Sequence, residues 1–400
     1  MPGGHSDRPV VLADLTADLL WPKMLRAVGL ALRPARVMLA FVALVVAGLC
    51  LSVPVPWEEG RTAWQLMQAA RANSLDLPTG EGIAELVLVP LSFVASPVLG
   101  AATFAAKHPL AFTAFGLPAL FFVTLFGAAI SRLAAADFAH GINEPWTRAL
   151  GFSLGRWPAL LVAVLGPLAI IAGVAAINAA LGWVLLRWPG VRFAGAVLYG
   201  GALASSAVAV FLFAVYVVGW PLLVPAVICE GRGERGGGPG DGIDGIQRAY
   251  AYVPTAPLRY LAFGSLLVAL VYLAYWIFFW MADATVGFAR WSTGALLTPD
   301  AAEQAFRSNA EFLQNGAVAS MSARIVAFWE HLPGMAAMSV VLSAIFCGCT
   351  VLYLLMRRVC DGQDEQDIWL PGSDFSEQQR EPAHRPRIGE GVQFGPASDE

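Results

Sequence analysis

The chain has 400 residues, of which 57% are hydrophobic and 14% charged, with a mean hydropathy of +0.63. That composition excludes an ordinary soluble domain and predicts a multi-pass membrane protein. The formal net charge of -4 leaves no basic face for nucleic acid, and five scattered cysteines (Cys50, Cys229, Cys347, Cys349, Cys360) supply no disulfide framework. Lys23 and Lys107 are the only lysines among 25 basic residues, a bias expected of a GC-rich bacterial genome.

Residues 1–17 form a polar tail. After it, Leu19, Leu20, Trp21, Leu25, Val28, Leu30 and Leu32 make an apolar stripe interrupted by Lys23, Arg26 and Arg33, the pattern of a helix lying on the membrane surface with its basic residues towards head groups. Val37 to Val55 is uncharged and just long enough to cross the hydrocarbon core. The late start of this run argues against a cleaved signal peptide, and Leu49 before Cys50 argues against a lipoprotein site. Past Glu58 and Glu59, Ala63, Trp64, Met67 and Ala70 share a helical face outside the membrane. Leu86 to Ala106, with Pro90 and Pro97, reads as an interfacial or re-entrant helix pair, and Ala111 to Ile130 crosses back. The first membrane unit is thus 18–131, with an extracytoplasmic loop at 56–110.

A second unit, 132–228, opens with a surface loop and interfacial helix from Ser131 to Arg156, followed by spans at Pro158 to Leu186 and Ala194 to Trp220. Pro221 and Pro225 are expected to kink or end the second of these. Gly201, Ser205 and Ala209 recur at four-residue spacing, which predicts a close helix-packing face. The glycine-rich segment 229–247 follows a membrane helix, not a strand, and so reads as a flexible cytoplasmic linker, not a phosphate-binding loop. The third unit, 248–356, has spans at Leu261 to Met281 and Met335 to Met356, an aromatic belt from Tyr272 to Trp280, and an extracytoplasmic loop at 285–334. Within that loop Thr298-Pro299-Asp300 with Glu303 is a helix start, and two short helices split near Gly316. Residues 357–400 are acidic and proline-rich, a composition expected to be disordered.

The three units share a signature. RAVGLALRPARVMLAF from Arg26, RALGFSLGRWPALLVAV from Arg148 and RAYAYVPTAPLRYLAF from Arg248 each run from Arg-Ala through a helical stripe to a Pro or Gly-Arg break and into an uncharged span. The fold expected is an all-α polytopic bundle of about six transmembrane helices in three amphipathic-helix-plus-hairpin units. In its Arg-Ala and Pro-Arg steps the chain resembles bacterial multi-pass membrane families. It is also similar to the membrane domain attached to some glycerophosphodiester phosphodiesterases. That resemblance covers Leu19 to Met356 and implies architecture alone, because no phosphodiesterase domain is present. With six spans, 17 of the 25 Lys and Arg fall on the amino-terminal side, which predicts cytoplasmic termini and placement in a bacterial inner membrane.

Chemistry is sparse. His5, His108, His140, His331 and His384 are dispersed, and Cys347 and Cys349 diverge by about 200° on a helix, so no metal or other cofactor is expected. Gly151-Phe152-Ser153-Leu154-Gly155 matches a nucleophile-elbow string but lacks the strand-turn-helix context. Asn178 is the one strongly polar side chain inside the spans, fit for a helix–helix hydrogen bond. Asp137, His140 and Glu144 share a helical face that reads as solvated. No catalytic residue is assigned. The expected function is that of a non-enzymatic scaffold, an assembly factor or a membrane component of a complex; a permease for an apolar or lipid-like substrate is the alternative, and a membrane-embedded enzyme ranks behind both. Membrane lipids are the expected partners, together with a protein docking on Ile368-Trp369-Leu370, an apolar island in the acidic tail.

Overall fold

The computed structural model describes residues 20–58, 60–72, 99–187, 192–229, 242–298, 321–365 and 368. The principal helices of the described residues are α1 Trp21–Ala31, α2 Pro34–Leu51, α3 Ala63–Ala72, α4 Pro109–His140, α5 Trp146–Gly155, α6 Trp157–Leu181, α7 Arg192–Cys229, α8 Gly242–Thr255, α9 Pro257–Gly294 and α10 Met321–Asp361. A π-helical turn, Gly182–Leu186, prolongs α6. The described residues hold six helices long and apolar enough to cross a membrane: α2, α4, α6, α7, α9 and α10.

The three Arg-Ala copies become α1, α5 and α8, each turning into a span at a proline: Pro34, Pro158 and Pro257 lie in the first turns of α2, α6 and α9. Proline is tolerated there because its missing N–H would be unpaired anyway, while the residue before it is pushed out of helical geometry. Arg33, at φ -67° and ψ 133°, is extended, and the chain turns from one helix into the next across it. The alanine of every copy is buried, Ala27 at 4% exposure and Ala149 and Ala249 at 0%. The helices use that small residue in the same way: α5 packs on α4, α8 on α7, and α1 on α10, so each interfacial helix sits on the outgoing span of the preceding unit and the first closes the circle on the last.

The outgoing spans α4, α7 and α10 contact one another pairwise and form the centre, while α2, α6 and α9 pair with them from outside. Close approach depends on glycines that the four-residue pattern did not single out. A Cβ on Gly127 would lie 2.1 Å from the Phe346 ring, and one on Gly348 2.1 Å from Leu267. On Gly242 it would meet the Ala159 carbonyl oxygen at 2.3 Å. At Gly201 a Cβ meets nothing within 4 Å. The expected packing face is therefore corrected: Gly201 is exposed, Ala209 is only half-buried, and Ser205 holds α6 through hydrogen bonds, not through a small surface. Ser205 donates to Asn178 Oδ1 at 3.0 Å while Asn178 donates to Ser206 at 3.1 Å, which is the helix–helix role expected of Asn178.

Other boundaries also move. Helix α4 does not stop at Ile130 but runs to His140, where Gly141 at φ 67° takes the left-handed position that ends it. Pro221 and Pro225 do not end α7, which runs to Cys229; on either side of them Tyr260 donates to the Val218 carbonyl and Arg156 to the Val227 carbonyl at 2.7 Å. The linker gives way to α8 at Gly242 already, and residues 230–241 lie outside the described set. Helices α9 and α10, at 38 and 41 residues, are roughly 57 and 61 Å long, about twice the hydrocarbon thickness. The expected loop 285–334 is thus partly helix, braced by a bidentate Arg290–Glu330 pair at 2.6 and 2.8 Å. The Thr298-Pro299-Asp300 helix start and the break at Gly316 fall outside the described residues.

In the first unit a small cap forms at the end opposite the arginines. Thr62 and Gln65 make a reciprocal capping box at 3.2 and 3.0 Å, so α3 starts at Ala63. Its buried stripe is Ala63, Leu66 and Ala70, with Trp64 turned outward instead of inward. Phe104, in helical residues 99–107, completes the cluster; of the stretch expected as a re-entrant pair only this part is described, and it packs into the cap.

Overpacking at a backbone contact separates the two kinds of glycine. Gly242→Ala should lower stability by about 1–3 kcal/mol, measured by thermal unfolding in mild detergent, whereas Gly201→Ala should stay within about 0.5 kcal/mol.

Candidate functional site

The charged residues of the arginine-rich end come together in one layer under α4, α7 and α10. Arg36, two residues into α2, is 2% exposed. Its guanidinium donates to Asp137 Oδ2 at 2.6 Å, to the Leu133 carbonyl at 2.8 Å and to the Leu30 carbonyl. Arg33 reaches the same Asp137 oxygen at 3.1 Å from a side chain 40% exposed. Arg26 lies with its guanidinium 5.0 Å from the Phe138 ring centre. Next to them Arg132, fully buried, pairs with Glu144 at 3.3 Å. Phe152 is within 4.5 Å of the guanidiniums of both Arg132 and Arg156. These contacts join α2, α4, α5 and α7 through charge-assisted bonds in a place where unpaired charge would be costly.

The expectation of a solvated Asp137–His140–Glu144 face is overturned. Asp137 is 4% exposed and answers two arginines. Glu144 lies beyond the Gly141 break, so it does not share the helical face of Asp137 and instead folds back onto Arg132. The reason is the extra length of α4: ten residues past Ile130 stay helical, and that carries Arg132 and Asp137 into contact with neighbouring helices.

The start of the tail joins the same layer. Arg357 is 2% exposed and donates to the Asp364 carbonyl at 3.1 Å. Glu365 accepts from Lys23 at 2.6 Å and Arg358 at 2.8 Å, tying the end of the last unit to the first. Tyr252 of α8 donates to Asp361. Disorder from residue 357 is therefore corrected for 357–365, which fold against the bundle. Ile368 is 1% exposed and thus covered by the chain itself; Trp369 and Leu370 lie outside the described residues. On α8, Tyr250 packs against Gly219, and burial pushes its phenol up to about 12.

Among the described residues the catalytic signals singled out in the sequence are not brought together. Ser153 is fully buried in α5, with its hydroxyl donating to the Ala149 carbonyl at 3.0 Å. Cys347 and Cys349 are buried in α10. His108 pairs with Glu58 at 2.8 Å in the cap, far along the chain from the other histidines. Among the described residues no three His, Cys, Asp or Glu come together as metal ligands. What sequence reasoning missed were Arg36, Arg132 and Arg357 as buried residues. The readable signal was the run Ala128-Ala129-Ile130-Ser131-Arg132-Leu133-Ala134-Ala135-Ala136-Asp137, where small residues continue on all sides of the charges.

Compared with known proteins, the chain matches no family model, no curated protein and no solved structure.

Breaking the central pair should be more damaging than removing it. Asp137→Asn strands a buried guanidinium and should cost about 3–5 kcal/mol, while Arg36→Met with Asp137→Leu should recover most of that loss. A double-mutant cycle on thermal unfolding reads the difference.

Proposed function

We propose that the protein is an integral membrane scaffold, acting as an assembly factor or as the membrane component of a larger complex, with its arginine-rich end in the cytoplasm of a bacterial cell. The observation that carries this is the uneven burial of its spans. The most apolar window of α10 is 72% buried, but those of α6 and α9 are 17% buried. In α6 the buried residues are Leu160, Ala163 and Pro167, all in its first three turns. The remaining length, with Ile170 at 60% and Ile177 at 62% exposure, offers a long apolar face on which another transmembrane helix can lie. The charged layer meanwhile is held in structural bonds, which suits a rigid platform better than a moving ion pathway.

The lipid-permease reading is supported by one feature. A shallow apolar groove runs between α1, α9 and α10, lined among others by Ala27, Ala31, Leu267, Val271, Phe278 and Val340, and it could guide an acyl chain.

A photo-crosslinking residue at Ile170 or Ile177 should capture discrete protein partners in native membranes, and the same group at buried Ala163 should not. Adducts with lipid alone at both exposed positions would overturn the scaffold reading. For orientation, a cysteine replacing Gly237 in a cysteine-free chain should be shielded from an impermeant maleimide in intact cells; labelling there would reverse the topology.

A further inference from the structure

We infer that the junction of α1 with the end of α4 is a binding site for the phosphate of an anionic phospholipid in the leaflet on the arginine-rich side. Three guanidiniums, those of Arg26, Arg33 and Arg36, reach the last turns of α4, where Asp137 pairs with Arg33 and Arg36 and the Phe138 ring faces Arg26. The buried Arg36 makes the shorter contact with Asp137 Oδ2, 2.6 Å against 3.1 Å for Arg33, and is further held by two carbonyls. Asp137 is therefore largely engaged by Arg36. Arg33 keeps 40% of its side chain exposed and reaches the carboxylate through Nε; Arg26 is exposed and faces the Phe138 ring. This leaves an excess of two positive charges at a half-open surface. A phosphate fits that excess, since guanidiniums pair with it through two parallel N–H bonds.

The same helix says why the phosphate is a lipid's. Trp21, Leu25, Val28 and Leu32 of α1 are 40–50% exposed and apolar. At 100° per residue Trp21, Leu25 and Val28 lie on the flank away from Arg26, and Arg33 follows at the extended corner into α2. A helix with exposed aromatic and aliphatic residues on one flank and arginine on the other settles at head-group depth. The arginines then lie at the level of the phosphates. The inference does not depend on whether the chain acts as a scaffold or as a permease.

The test uses the full-length protein in nanodiscs of phosphatidylcholine, with phosphatidylglycerol titrated in and the thermal midpoint as readout. Wild type should show a saturable rise with phosphatidylglycerol. R26Q/R33Q, measured against its own midpoint in pure phosphatidylcholine, should need roughly 25-fold more phosphatidylglycerol for the same rise, at about a fivefold contribution per arginine. R26K/R33K should keep much of the response, which separates charge from folding. An unchanged response in R26Q/R33Q would overturn the site. So would an equal rise on adding inorganic phosphate to phosphatidylcholine discs, which would point to a soluble anion. A rise that R36Q removes while R26Q/R33Q does not would place the effect in the buried pair and also overturn it.

Discussion

The bond between Arg36 and Asp137 is the constraint on which the rest depends. Both side chains are nearly excluded from solvent, at 3% and 5% exposure, and either charge would be costly there without the other. Their pairing requires α2 and the end of α4 to stand side by side, with the last turn of α1 close enough for its Leu30 carbonyl to accept a hydrogen bond from the same guanidinium. It fixes how deeply the first unit sits, because Arg36 follows Pro34 by two residues and Pro34 marks the corner between surface and span. Sliding α4 by one turn would strand the carboxylate.

From that corner the repeat closes on itself. Each interfacial helix rests on the outgoing span of the unit before it, and α1 rests on α10, where Ser343 donates to the Ala31 carbonyl at 2.8 Å and Lys23 reaches Glu365. A linear triplication with two junctions would leave one interfacial helix and one outgoing span without partners. The closing contact supplies the third junction and adds to the burial of α10, the most enclosed of the spans, which also packs on α2, α4, α7 and α9. It also explains why residues 357–365 are ordered despite an acidic composition: their carboxylates and carbonyls answer Lys23, Arg357 and Arg358.

The sequence made the spans and the three interfacial helices legible because both rest on local signals: uncharged length, an amphipathic stripe and proline at the corner. Helix ends were less legible. The Ser131–His140 stretch carries Arg132, Asp137 and His140, and charge in a membrane protein reads as surface; here those charges are covered by neighbours that no local pattern announces. Packing glycines failed for the same reason. Gly127 and Gly348 sit alone in their stretches and are tight only because Phe346 and Leu267 come from other helices, whereas Gly201 sits in a regular small-residue pattern yet faces open space. Asn178 was legible because a strongly polar side chain in an apolar span has few options other than a facing helix.

The distribution of burial links architecture to role. At the arginine-rich end all three hairpins interlock, with charge, glycine contacts and aromatic rings in one layer. Away from it α6 and α7 hold chiefly each other, through Asn178, Ser205 and Ser206, and α9 and α10 hold each other through Arg290 and Glu330. Hydrophobic residues on those outer lengths lose nothing by facing lipid, so exposure alone is no defect. Yet lipid contact requires neither a polar clasp near the far end of one hairpin nor a bidentate ion pair bracing the other. Both devices keep two helices in register where the bundle no longer does so, and the proposed scaffold role would draw on that register.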